Sequence, residues 1–305
     1  MPTDQQIIRI LDATGHLAHP FGEQRTLTKP LHELTLNDQC VIDAVQSYQD
    51  FHSVSIEPIV AKHYPMRVSA AVKADGQVGP AMRELFDQPR CQCPDYNPAT
   101  DQQAAQGSGN WRGCHNIGNY HAAVAKFLNE PPSYLKPHFD EVWKRVVDTY
   151  AEIGLLWKRD DSHSNPDTNI SFVRPDGGWI GLAIVSNRAS CGSNIWAKFD
   201  NRYQPANLVR EWTTLFNHEL GHNCGLSHSR GGIMNSYLVK GLAPTWKNDP
   251  SYNLVVSRFG GQPVPRDDDP GERKMVLAWE YPGGRFEKIN DVPTVDEEQS
   301  FWPEV

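Results

Sequence analysis

The sequence predicts an α+β protein, with a small all-helical unit ahead of a twisted mixed sheet that carries long helices. Three observations predict it. Residues 31–90 place apolar residues at helical spacing in "LNDQCVIDAVQSYQDFHSV" and "GPAMRELFDQ". Three short runs of strand character, "TNISFVR", "WIGLAIVS" and "NIWAKF", follow between turn residues. Two long helical stretches, "KPHFDEVWKRVVDTYAEIG" and "NLVREWTTLFNHELGHNC", flank those runs.

Composition narrows the function classes. The 305 residues suffice for one large core or two. A 39% hydrophobic and 22% charged composition argues against global disorder. Net charge is -8 and no Lys/Arg cluster stands out, so no nucleic-acid partner is expected. No run of 18 apolar residues exists, so no membrane span is expected. The start, "MPTDQQIIRILDATGHLAHP", lacks the basic n-region of a signal peptide. Six cysteines are too sparse for a disulfide scaffold, and their pairing is open.

Taken in order, residues 1–30 read as irregular. Residues 31–95 read as the helical unit: Asn37 is the expected N-cap of a helix bearing Val41, Val45, Tyr48 and Phe51 on one face. Pro80 opens the next helix, which carries Met82, Leu85 and Phe86. Residues 96–110 are polar and small, an exposed linker. In 111–262, "YHAAVAKFL" reads as a strand, and Phe139, Val142, Val146, Tyr150 and Ile153 share a helix face that Gly154 closes. "DPSYNLVVSRFGG" reads as a last helix. Residues 263–305 form a tail with a candidate hairpin, "MVLAWEY-PGG-RFEKI".

The chemistry concentrates in "NHELGHNCGLSHSRGGIMNS", residues 217–236. Residues four apart share a helix face, so His218 and His222 can chelate one ion. Glu219 projects beside that ion rather than onto it. Gly225 supplies the turn that ends the helix and lets His228 return as third ligand. Three histidines leave the fourth position of a tetrahedral zinc to water, the arrangement of a catalytic site. Zinc lowers that water's pKa to about 7, and Glu219 is the candidate general base. Met234 follows in "GGIM", where a tight turn can bring a methionine beneath the metal.

The spacing H-E-x-x-H-x-x-G-x-x-H with its methionine resembles the metzincin signature, and "GLSHS" resembles the matrixin branch, the matrix metalloproteinases. The likeness covers roughly residues 35–262, strongly at two motifs and loosely between. It implies a zincin catalytic domain, one catalytic zinc on His218, His222 and His228, Glu219 as catalytic base, and Met234 as Met-turn residue. The second motif, "PRCQCPD" at 89–95, is similar to the matrixin cysteine switch, PRCGVPD. It implies that Cys91 binds zinc in a latent zymogen, with Arg90 and Asp95 pairing to hold the loop. Gln92 and Cys93 stand where the family has Gly-Val, so either thiol remains a candidate for the metal. Upstream, "VKADGQVGPAMRELF" resembles peptidoglycan-binding-like helical domains, a fold shared by three-helix matrixin prodomains.

The resemblance further implies a protein or peptide substrate held along Leu182 and Ala183 by β-augmentation. It implies an activating protease, another enzyme or the protein itself, acting in the linker, and an extracellular setting, at odds with the unremarkable N-terminus. Ile184 and Lys198 stand where the family has structural-zinc histidines, so that zinc is not expected. Asp200 is the candidate ligand for calcium. Two rivals stand beside the endopeptidase: a metallohydrolase of cell-wall peptide guided by a glycan-binding helical unit, and a non-catalytic binding protein. Glu219 weighs against the latter.

Overall fold

The structure is a computed structural model. It describes residues 1–63, 74–88, 90–91, 93–96, 115–117, 120–173, 179–183, 193–198, 208–237, 245–249, 252–253, 256 and 264. These residues form an α+β protein with six α-helices and one mixed sheet.

The helical part begins earlier than its sequence suggests. Residues 4–13 are not irregular but form α1 (Asp4–Ala13), opened by a capping box in which the Thr3 hydroxyl and the Gln6 side chain each take the other's backbone N–H. Ile7, Ile8 and Leu11 bury its inner face. The first stretch of helical spacing is α2 (Gln39–Phe51), capped at Asp38 rather than Asn37, and a further helix that the sequence reading lacks, α3 (Ser53–His63), follows it directly. Asp38 is also tied to Thr35 and Lys29. Helix α4 (Pro80–Asp87) starts on proline, as the sequence predicts. Among the described residues of 31–95, α2, α3 and α4 share one core with α1, built from Leu17, Val41, Val45, Tyr48, Ile56, Met82, Leu85 and Phe86.

The sheet comprises β1 (Arg90–Cys91), β2 (His115–Ile117), β3 (Tyr120–Phe127), β4 (Leu155–Arg159), β5 (Thr168–Val173), β6 (Trp179–Ala183) and β7 (Ser193–Lys198). Strand β3 pairs in parallel with both β4 and β5, and β5 pairs in parallel with β7. Strand β6 is antiparallel to β7 and lies between it and β1. Burial alternates along β5, with Thr168, Ile170 and Phe172 inward, the period of a half-buried strand. Strands β2 and β4 escape the sequence reading.

Helices α5 (Phe139–Ala151) and α6 (Leu208–Asn223) pack on each other and on the sheet. Phe127, Phe139, Trp143, Phe172, Trp212 and Phe216 fill that space, mostly edge to face. Tyr150 anchors α5 to α6 by donating to the Asn217 carbonyl at 2.7 Å. The hydroxyl of Thr168 donates to Asn223 at 2.6 Å and ties β5 to the end of α6. Helix α6 is therefore fixed along its length, which is what a site built on its side chains requires. Among the described residues no helix is long and apolar enough to cross a membrane. The linker 97–110, Asp200, Cys114, Cys191, Ile184, nearly all of 250–262 and the tail except Val264 lie outside the described residues.

Candidate metal centre

Helix α6 presents His218 and His222 one turn apart. It stops at Gly225, whose φ of +81° only glycine adopts without strain. The chain then doubles back and delivers His228. The Nε2 atoms of the three rings lie 3.1, 3.1 and 3.2 Å from one another. Cys91 supplies a fourth donor, with Sγ 3.5 Å from His222 Nε2. These four donor atoms all lie within 4.8 Å of each other, and all four residues are buried.

The protons on the far side of each ring settle what this cluster needs. His218 Nδ1 faces the Ile233 carbonyl at 2.7 Å, His222 Nδ1 faces the Leu226 carbonyl at 2.8 Å, and His228 Nδ1 faces Asp95 Oδ1 at 2.8 Å. All three partners only accept hydrogen bonds at these oxygens, so each Nδ1 carries the proton. The three Nε2 atoms are left to face one point, as the ligands of a single cation do. Zinc bond lengths in tetrahedral geometry place nitrogens about 3.3 Å apart and sulfur about 3.5 Å from nitrogen. The donor set therefore fits a tetrahedral N₃S ion.

Burial lowers the proton affinity of His218 and His228, which suits neutral ligands. It also acts on His222, but the Cys93 thiolate and Glu219 outweigh it and carry that ring up to about 9. Burial and the neighbouring Cys93 push the Cys91 thiol up, while the Cys91 hydrogen bond and His222 draw Cys93 down to about 3. Of the two, Cys91 completes the tetrahedron, and the Cys93 N–H points at its sulfur from 3.4 Å.

Glu219 is fully buried beside the cluster. Its Oε2 is 3.9 Å from Cys91 Sγ, and its Oε1 has no hydrogen-bond partner. Burial, reinforced by Cys93, raises its carboxyl to about 8. Gly181 in β6 makes room for it, since a Cβ there would stand 1.9 Å from Oε1. Gly221 makes similar room for Met234: a Cβ on it would stand 2.4 Å from the methionine sulfur. Met234 is fully buried beneath the helix that carries two of the ligands, as its position in the sequence predicts.

Arg90 and Cys91 form a short strand between two walls. On one side β1 runs parallel to β6, with Arg90 opposite Trp179 and Cys91 opposite Gly181. On the other, Cys91 N–H donates to the Ser236 carbonyl at 2.8 Å, and Arg90 bridges Tyr237 in antiparallel sense. Leu182 and Ala183 continue β6 along the same cleft, paired to Trp196 and Ile195 of β7. Arg90 and Asp95 pair at 2.8 Å, as expected.

Asp95 has further partners that the sequence gave no sign of. His52 Nε2 lies 2.9 Å and His16 Nε2 3.2 Å from its Oδ2, and Tyr48 receives Arg90 at 3.2 Å and shares a hydrogen bond with Tyr237. His16, His52 and Asp95 also have the residue types of a metal site. Arg90 already neutralises Asp95, however, so a dication there would add uncompensated buried charge. Both rings instead donate to the carboxylate, and burial keeps both from protonating, His52 down to about 4. No family model matches the chain.

Proposed function

We propose that this protein is a zinc-dependent endopeptidase of matrixin type, held latent by its own N-terminal helical unit. The observation that carries the reading is the convergence of three imidazole Nε2 lone pairs and one cysteine sulfur on a single point beside the unpartnered Oε1 of Glu219. His218, His222 and His228 hold the ion, and Cys91 closes its fourth position in the latent chain. Zinc, when bound, supplies Lewis acidity and acidifies water. Glu219, whose Oε2 is 3.9 Å from the Cys91 sulfur, would take the proton of a water in that place and pass it to the departing amine. Burial and the neighbouring Cys93 raise the proton affinity of this carboxyl in the latent chain.

A peptide substrate is supported by what fills the cleft already. Arg90 and Cys91 lie there as extended backbone, hydrogen-bonded between β6 and Ser236–Tyr237. A cleft with strand-pairing groups on both sides takes another extended peptide once that segment leaves. Leu182 and Ala183 lie on the wall that such a peptide would follow. The helical unit turns Tyr48, His52 and Arg90 toward Tyr237, so this face is engaged with the catalytic part, which favours a latch over a wall-binding module.

Cleavage of gelatin tests the reading. The full chain is expected to be slow, Cys91→Ala to be fast, and Cys91→Ala with Glu219→Ala, or with a zinc chelator, to be inactive. A Cys91→Ala chain that binds zinc and cleaves no protein would defeat it.

A further inference from the structure

Asp95 accepts four hydrogen bonds, and one comes from a metal ligand. Its Oδ1 lies 2.8 Å from both Arg90 Nη2 and His228 Nδ1, and its Oδ2 receives His52 and His16. The carboxylate and the three rings are buried to 2% exposure or less at Asp95, His16 and His52 and 7% at His228. Its backbone is fixed as well, because the N–H groups of Asp95 and Tyr96 both donate to the Thr14 carbonyl, at 2.9 and 3.1 Å. Gly15 allows that approach, since a Cβ on it would stand 2.2 Å from the Tyr96 carbonyl oxygen. Thus the turn after α1 delivers Thr14 and His16, the C-cap of α2 delivers His52, and only His228 comes from the catalytic half.

We infer that Asp95 is an outer-sphere member of the metal centre, a carboxylate lent by the prodomain that orients His228 and raises its basicity toward the ion. The inference rests on the metal reading above. A ring nitrogen that binds metal is strengthened when its other N–H donates to a carboxylate, and loss of such a partner costs about 10–100-fold in metal affinity. His218 and His222 rely on backbone carbonyls of their own half. His228 alone relies on the prodomain. The prodomain therefore grips the centre at two points, Cys91 in the fourth position and Asp95 behind the third ligand. His16 and His52 act as positioning residues for that second grip. Departure of the prodomain opens the fourth position and also weakens the hold on the ion.

The test uses the full chain with Cys91→Ser and Cys93→Ser, so that neither sulfur contributes. Cobalt(II) affinity is measured by chelator competition and its d–d absorption is recorded, with and without Asp95→Asn. The expected result is affinity lower by about 10–100-fold and a shifted cobalt spectrum in Asp95→Asn, with partial recovery in Asp95→Glu. Unchanged affinity and spectrum overturn the inference while leaving the metal reading intact. A chain with Cys91→Ser and Cys93→Ser that takes up no cobalt, or takes it up equally after His222→Ala, removes both. If Asp95→Asn does not fold, the wild-type zinc-loaded chain decides, by ¹⁵N-histidine NMR. His228 should show an Nδ1 proton protected from solvent exchange. A deprotonated or freely exchanging Nδ1 overturns the inference.

Discussion

The cluster of His218, His222 and His228 and the cluster of His16 and His52 are both buried, and both draw imidazole nitrogens toward a shared point. They differ in what occupies the far side of each ring. In the first, Ile233, Leu226 and Asp95 take the Nδ1 protons, leaving the three Nε2 atoms facing one another. In the second, the Nε2 protons point inward at Asp95, and Arg90 cancels its charge. The first arrangement turns its donor atoms to one point, as a metal ion requires; the second is already neutral and hydrogen-bonded. Buried histidines alone therefore do not define a metal site, and the tautomer fixed by their outer partners does.

Removing a ligand should separate the clusters most sharply. Zinc binding on the order of 12 kcal/mol, shared among four ligands, loses about 3 kcal/mol or more with His222→Ala, upwards of a hundredfold in affinity. His52→Ala should leave zinc bound. Chelator competition measures both, and equal losses would erase the distinction.

Removing the centre of the second cluster is expected to act on folding. Asp95→Ala strands the buried Arg90 charge, at a cost of about 3–5 kcal/mol. Urea unfolding of metal-free protein reads this directly, because the first cluster then contributes no metal.

Acid gives an effect of similar origin. His52 in the folded chain takes its proton only near pH 4, against 6.5 when unfolded. Between those values the unfolded chain holds more protons, so this stability is complete above pH 6.5 and is lost as pH falls toward 4. The loss is on the order of 3 kcal/mol, and His16 adds in the same direction. Asp95, held far below the usual carboxylate range by Arg90 and the histidines despite its burial, extends the loss to lower pH. Thermal unfolding from pH 7 to 4 should fall less steeply in His52→Gln; an equal slope would contradict the neutral-histidine assignment.

Smaller effects locate the supports of each cluster. Gly181→Ala drives a methyl into Glu219, so proteolysis in the Cys91→Ala background should fall while zinc content stays at one. The packing cost is about 1–3 kcal/mol. Thr3→Ala removes the capping box of α1, which precedes His16, and should lower stability by about 1 kcal/mol without altering zinc affinity.

The first cluster was legible in the sequence because it is local. His218, His222 and His228 fall within eleven residues, and helix periodicity, a turn glycine and one methionine give each a mechanical role. The pairing of Arg90 with Asp95 was legible for the same reason. The second cluster spans 79 residues between His16 and Asp95, and nothing in "ATGHLAHP" marks a histidine that will be buried against a carboxylate. The contact of Asp95 with His228 crosses 133 residues. Helix α1 carries a sequence signal, the Thr3–Gln6 capping box ahead of Ile7, Ile8 and Leu11, though its surroundings read as irregular. Helix α3 was hidden by Pro58 and by its direct junction with α2.

The most direct measurement of the central claim is zinc K-edge X-ray absorption on the full chain. The account predicts one zinc per chain with three nitrogens at about 2.0 Å and one sulfur at about 2.3 Å, the sulfur vanishing in Cys91→Ser and persisting in Cys93→Ser. A chain that binds no zinc, or one whose sulfur survives Cys91→Ser, would contradict it.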